Sequence, residues 1–187
     1  MEDELGKLAQ EISICQKCPL GKTRTKAVPG EGSFRSDIIF VGEGPGQNED
    51  LQGRPFVGEA GRFLEELLNS IDLKRQDVFI TNLVKCRPPG NRDPKDEEID
   101  ICTKLYLSHQ IELINPKIIV TLGRYAAKYF LPDKGTITSL HGRAFKRNDR
   151  AIFVAFHPAV ALYRRQAKNE LFEDFKKLKK LIIKLNK

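Results

Sequence analysis

Four short apolar segments decide what this chain can become. They are "DIIFVGEG" (37–44), "DVFITNLVK" (77–85), "PKIIVTLG" (116–123) and "AIFVAFHP" (151–158). Each is rich in Ile, Val or Phe, and most are bounded by Gly or Pro, as buried strands are. Their apolar character is nearly continuous rather than alternating. That predicts burial on both faces, as in a parallel sheet covered by helices. Helical patterns fill the intervals. "AGRFLEELLNSI" puts Phe63, Leu64, Leu67, Leu68 and Ile71 on one stripe. "DPKDEEIDICTKLYLSHQIELINP" opens on Asp93–Pro94, a cap and first-turn pair, and Pro116 marks its end. "RYAAKYFL" is a short helix after Gly123, and Leu171, Phe175, Leu178, Ile182 and Leu185 outline a long amphipathic helix at the C-terminus. Strands alternating with helices predict an α/β fold: a three-layer α/β/α sandwich around a central four-stranded parallel sheet. With 187 residues, the chain reads as one domain over 1–187.

In open α/β sheets, ligands gather beyond the carboxyl ends of the strands. The unusual residues sit there. The four strands run into "GEGPG", "TNLVKCRPPGNR", "LGRYAAKYF" and "HPAVALYRR". A parallel sheet brings these four loops to one rim, with Glu43, Asn82 and His157 around one crevice. The first loop, "VGEGPGQNEDLQGRPFVG" (41–58), is not built for phosphate. Gln47 stands where a dinucleotide fingerprint has its third glycine, no Gly-Lys-Ser/Thr follows, and Glu43, Glu49 and Asp50 repel an anion.

Composition narrows the setting. The longest apolar runs are far too short to span a bilayer, and "MEDELGKLAQEISIC" has no apolar signal core. A cytoplasmic protein without a membrane partner is expected. The net charge of +7 is compatible with a nucleic-acid partner. Much of the excess lies in Arg164–Lys187, with nine Lys/Arg against three Asp/Glu, where a solvated helix face accounts for most of the lysines. The absence of Trp, the single Met and the many Lys, Glu and Ile lean toward a thermophilic source.

The four cysteines are Cys15, Cys18, Cys86 and Cys102, the first two forming C-x-x-C in "CQKCPL". Inert buried thiols, disulfides in any of three connectivities, and one metal site with four thiolate ligands all fit the count. An intracellular setting disfavours disulfides. Four thiolates suit zinc and a [4Fe–4S] cluster alike. Such a site would tie the N-terminal segment to the loop after the second of the four strands and to the helix that follows, elements with no other obvious clamp.

"GEGPGQNEDLQGRPFVGEAGRFL", "TNLVKCRPPGNRDP", the cysteine spacing and "HPAVAL", taken in order, resemble the iron–sulfur uracil-DNA glycosylases of the family 4 type. The resemblance runs from about Cys15 to the last helix. It implies a monofunctional enzyme of base excision repair, which flips uracil from DNA and hydrolyses its N-glycosidic bond, leaving an abasic site. It also implies a structural [4Fe–4S] cluster on Cys15, Cys18, Cys86 and Cys102. Phe56 matches the stacking aromatic and Asn82 the reader of the uracil edge. Asn82's carbonyl would accept N3–H while its NH₂ donates to O4. His157 matches the histidine that donates to O2 of the leaving base. Glu49 matches a residue that crowds C5 and excludes thymine. Gly42 and Gly44 let the backbone approach the nucleoside. Gly44 stands where better-known uracil glycosylases carry Asp, so Glu43 becomes the nearest candidate to orient water, with Asn91 assisting.

On the residues alone, each of these has a plainer reading: Phe56 as core, Asn82 as a turn cap, Glu43 as a loop carboxylate bonded to backbone amides, His157 as a structural histidine. For DNA, in single- or double-stranded form, Gly61, Arg62, His141 and Gly142 are expected at phosphates. Leu162 with Arg164 is expected to wedge and grip the duplex. Here the plainer reading is that Leu162 packs internally. His109, mid-helix, and His141, in a loop that could touch DNA, each have a plainer structural reading. A monomer is expected, with a sliding clamp as a further candidate partner. Two other functions compete: a non-catalytic DNA- or nucleotide-binding iron–sulfur module of the same fold, and a small electron carrier.

Overall fold

The computed structural model describes residues 2–185. Six strands form one sheet: β1 (Glu31–Gly32), β2 (Ile38–Gly42), β3 (Phe79–Asn82), β4 (Ile118–Leu122), β5 (Ala144–Arg147) and β6 (Arg150–Ala155). Their order is β1-β3-β2-β4-β6-β5. The inner four are mutually parallel and are the four segments expected from the sequence. The two edge strands are antiparallel additions that the sequence pattern did not announce. β1 is only two residues long, and both Gly30 and Gly32 take positive φ. β5, "AFKR", is largely exposed and polar, and joins β6 through a tight turn at Asn148 (φ 53°). Exposed edges of this kind carry no apolar run to find.

Strand pleating sends alternate residues to opposite faces. Ile39 and Val41 enter one core, and Ile38 and Phe40 enter the other. Over the first face lie α1 (Glu2–Ile14), α5 (Asp96–Cys102), α6 (Ser108–Ile114) and α7 (Arg124–Phe130), with Ile12, Leu107 and Ala126 fully buried. Over the second lie α4 (Glu59–Asn69) and α10 (Arg165–Leu185), which bury Leu64, Leu67, Leu171 and Phe175. The Phe40 and Phe175 rings stack at 6.0 Å across this interface. Each such side chain contributes about 1.5–3 kcal/mol on burial. The expected stripe of α10 holds to Leu178, Ile182 is partly buried, and Leu185 is exposed.

Two local expectations are corrected. The helix expected from Asp93 begins at Asp96. Glu98 accepts a hydrogen bond from the Lys95 N–H and a two-pronged one from Arg92, so Lys95 takes the capping position. Asp93 instead pairs with Arg124 at 2.6 Å. The N-terminal segment also has a seat of its own. Leu5 and Ile12 are buried in the core. Arg24, just after α2 (Leu20–Thr23), donates to the carbonyls of Ser13 and Cys15 at the end of α1.

The connections place the site. From β2 the chain passes through α3 (Gln47–Gln52) and α4 to β3 on one side, then crosses to β4 on the other. This is the topological switch at which open α/β sheets hold ligands. Among the described residues no helix is long and apolar enough to cross a membrane.

Candidate active site

At the carboxyl ends of β2, β3 and β6 lies a cavity of about 370 Å³. Its lining includes Glu43, Gly44, Glu49, Phe56, Asn82, Asn91 and His157, so most of the pocket set expected from the sequence meets here. Gly42 lies directly beneath. A Cβ there would stand 2.4 Å from Asn82 Oδ1 and 2.8 Å from the Phe56 ring. Only glycine lets the strand end pass so close to both.

Asn82 ends β3 and is 1% exposed. Among the described residues none donates a hydrogen bond to its buried Oδ1. An orphaned acceptor costs about 1–3 kcal/mol, which the fold bears only where something else supplies the donor. The turn-capping alternative would have given that oxygen a backbone N–H. The Asn82 main chain is held from behind by Lys85. Its fully buried ammonium donates to the Asn82 carbonyl (2.8 Å), Thr81 Oγ1 (2.6 Å) and Gln110 Oε1 (2.7 Å). Desolvation lowers the Lys85 pKa to about 8, and the three acceptors leave it satisfied. Nothing in "NLVKC" singled this lysine out, because its partner Gln110 is distant in sequence.

Phe56 is buried and lies in the left-handed region (φ 51°). For a bulky residue that costs of order 1–3 kcal/mol. Its ring meets the His157 ring at 5.6 Å and 28°. Stacked pairs in contact have centroids 4.5–7 Å apart, so no third ring fits between them. The Ala159 N–H donates to His157 Nδ1 (3.2 Å). That makes Nδ1 the acceptor and leaves the proton on Nε2. Desolvation holds the imidazole down to about 4, with the Glu49 charge opposing, so the ring is neutral at ordinary pH.

The two loop carboxylates differ. Glu49 accepts from the N–H groups of Gly46 (3.1 Å), Val57 (2.8 Å) and Gly58 (3.0 Å). It is the clamp that closes the 46–58 loop. It also occupies the Gly58 amide at the start of α4. Among the described residues no group donates a hydrogen bond to the Glu43 carboxylate. Desolvation raises its pKa, nearby Asp93 raises it further, and Arg124 opposes. So the bonding to backbone amides that Glu43 was weighed for belongs to Glu49. Asn91, at φ 55°, accepts from Arg87 Nε at 2.7 Å.

The residues expected at DNA scatter more. Arg62 and Leu162 share an adjoining groove between α4 and the short helix α9 (Val160–Tyr163). Leu162 is 43% and Tyr163 86% exposed, so Leu162 does not pack internally. Arg164 is exposed just beyond. Gly61, expected at phosphate, is buried: a Cβ there would be driven into the Phe56 carbonyl. His141 follows the short helix α8 (Ile137–Leu140), and its ring lies tilted against Phe156 at 4.1 Å. Its Nδ1 pairs with buried Asp174 (2.8 Å). Gly142, at φ 70°, leaves room for that carboxylate. Neither lines the pocket.

The four cysteines line one small cavity on the other side of β3, closed by Ile12, Lys85, Ile101 and Tyr106. Arg24 donates to Cys86 Sγ (3.1 Å), and the Lys85 N–H donates to Cys102 Sγ (3.3 Å). Burial pushes the Cys102 thiol up to about 11 and raises Cys86 as well. Such thiols become ligands only when a cation compensates their charge. Among the described residues no three His, Cys, Asp or Glu side chains converge on a single ion-sized point.

Comparison with known proteins adds the following. The family model of the uracil DNA glycosylase superfamily matches residues 29–179. A type-4 uracil-DNA glycosylase of Sulfurisphaera tokodaii is 48% identical over 97% of this chain and 86% of its own length. Those of Archaeoglobus fulgidus and Thermotoga maritima are 46% and 44% identical, over 96% and 95% of this chain and 94% of each relative. A DNA polymerase of Bacillus phage SP01 is 30% identical over 84% of this chain but only 17% of its own length.

Proposed function

The chain belongs to the uracil DNA glycosylase superfamily, and from that premise we propose that it is a type-4 uracil-DNA glycosylase that excises uracil from DNA by hydrolysis. The observation that carries the reading is the buried, unpartnered Asn82 Oδ1 in the same pocket as a neutral histidine. The names of its relatives support the same reaction.

The proposed reaction breaks the bond between uracil N1 and deoxyribose C1′. A water oxygen bonds to C1′, the bond electrons leave with the base, and a proton ends on the departing uracil. Asn82 accepts N3–H and donates to O4. Cytosine offers an unprotonated N3 and a donor at C4, and leaves this amide mispaired. His157 donates Nε2–H to O2 as negative charge builds there. A neutral donor suits this, since it stabilises the anion without needing low pH. Phe56 stacks on the flipped base. Glu49, fixed by its three N–H partners, forms the wall near C5. Glu43, whose carboxylate accepts no hydrogen bond among the described residues and is raised in pKa, orients the water with help from Asn91. Leu162, Arg62 and Arg164 meet the DNA strand beside the pocket.

Cys15, Cys18, Cys86 and Cys102 would hold a [4Fe–4S] cluster. Zinc requires all four sulfurs about 2.3 Å from one point. A cubane gives each thiolate its own iron, and it is the group that the resemblance of the motifs to the iron–sulfur glycosylases implies for the four cysteines lining one cavity. When bound, the cluster cross-links α1, the loop after β3 and α5. Metal analysis is expected to give about four irons per chain and a broad absorption near ~400 nm. Cys102→Ser should lose both and lower the Tm. Stoichiometric zinc in their place would overturn the assignment.

The function is tested with a labelled oligonucleotide carrying one uracil, followed by alkali to break abasic sites. Strand cleavage at the uracil is expected. Intact DNA would favour a non-catalytic module. Gly42→Ala tests the pocket itself. Its methyl would push Asn82 and Phe56 aside. Misplacement on that scale is expected to cost about 10²-fold in single-turnover excision, with DNA affinity retained.

A further inference from the structure

Phe56 holds a strained backbone conformation, and something outside the pocket must enforce it. Arg75 is in place to do so. It opens the single helical turn Arg75–Asp77 before β3, and its side chain is 15% exposed. One guanidinium nitrogen, Nη1, donates to the Phe56 carbonyl at 2.9 Å, and the other, Nη2, to the Pro55 carbonyl at 2.6 Å. The fork thus grips two successive peptide planes on either side of the Phe56 Cα. Its own orientation is set by Glu31 (3.4 Å) and Glu65 (3.6 Å), and Glu31 is in turn held by both arms of Arg54. From the other side the Phe56 carbonyl oxygen lies against Gly61, where any Cβ would collide with it. The oxygen is therefore caught between a charged donor and a bare Cα. Arg75 is absent from the pocket lining and faces a separate surface cavity of about 780 Å³ behind the loop.

We infer that Arg75 is the positioning residue of the stacking platform: it holds the Pro55–Phe56 turn so that the Phe56 ring forms the pocket wall before any base arrives. This rests on the reading of Phe56 as the residue that stacks on uracil. Arginine is suited because its rigid, planar fork meets two carbonyls at once, which a lysine ammonium does not match.

The test is a double-mutant cycle of Arg75→Met and Phe56→Ala, read as single-turnover uracil excision and as binding of free uracil to the protein. Phe56→Ala is expected to slow excision roughly 10- to 100-fold, the scale of one lost base stack. Arg75→Met is expected to slow it about tenfold and to weaken uracil binding to a similar degree. Introduced into Phe56→Ala it should add less than about twofold, because the two act as one unit. Arg75→Lys keeps a positive charge between Glu31 and Glu65. It should fold even if the Met variant does not, and show the same loss of effect in the Phe56→Ala background. Two results separate the possible failures. If Phe56→Ala is slow but Arg75→Met and Arg75→Lys either match the parent or act additively with it, the positioning role is overturned and the stacking reading stands. If Phe56→Ala excises uracil at the parent rate, the stacking reading falls and takes the positioning role with it.

Discussion

Asn82→Ala is expected to reduce single-turnover uracil excision by roughly 10²- to 10⁴-fold while leaving the Tm unchanged or slightly higher. The two halves of that expectation have one origin. Asn82 is fully buried, and its Oδ1 has no hydrogen-bond partner among the described residues. In the folded protein that acceptor is an unmet cost, so removing it relieves strain that offsets the packing lost with the side chain. In the complex the same buried acceptor meets uracil N3–H, where a hydrogen bond counts for more than at the surface. Activity and stability should therefore part company at this position, as they do where a site is held destabilised for its ligand. A Tm that falls by many degrees together with the rate would instead make Asn82 an ordinary structural residue. Equal rates for variant and parent would remove it from the pocket chemistry altogether.

His157→Ala is expected to slow the chemical step about 10²- to 10³-fold, the range for loss of one donor aimed at developing charge, with DNA affinity within about threefold of the parent. The pH behaviour sharpens this. His157 titrates at about 4 in the fold against 6.5 as its ordinary value. Above 6.5 it is neutral in both the folded and unfolded states, so it adds no pH dependence there. Between 6.5 and about 4 the unfolded chain binds more protons than the folded one, so its contribution to stability is lost as pH falls through that window. His157→Ala should flatten that part of a Tm-versus-pH curve. Catalysis has a different acid limb. The Glu43 carboxyl is raised by burial and by Asp93. Excision that needs its carboxylate should begin to decline on acidification earlier than an ordinary glutamate would cause. Glu43→Gln should lower the rate and erase that limb. An acid limb that survives Glu43→Gln and vanishes in His157→Ala would reverse the two assignments.

Much of the fold was legible because burial on both faces leaves an unbroken apolar run, and "IIFVG" and "IIVTL" carry it plainly. The edge strands were not, since a two-residue strand and a polar, exposed one have no period to detect. Asp93–Pro94 looked like a helix start, but Glu98 supplied a better cap at Lys95, and Asp93 was drawn to Arg124 by a contact across the fold. The pocket side chains were legible through their motifs. What holds them was not. Lys85 reaches Gln110, and Arg75 reaches back to Pro55 and Phe56. Such partners meet only after the chain has folded, and neither cation lies in a pattern that calls for it. Glu49 shows the same limit in reverse. Its three backbone partners turn an expected pocket guard into the clamp of its own loop as well.

This pocket is expected to read the edge of uracil and to release that base by hydrolysis. The most direct measurement offers the protein three otherwise identical oligonucleotides bearing uracil, cytosine or thymine at one position, and identifies the free base released. The expected result is free uracil with an abasic site from the first, and no release from the other two. Release of no base, or of all three at similar rates, would mean that the pocket does not select uracil for hydrolysis.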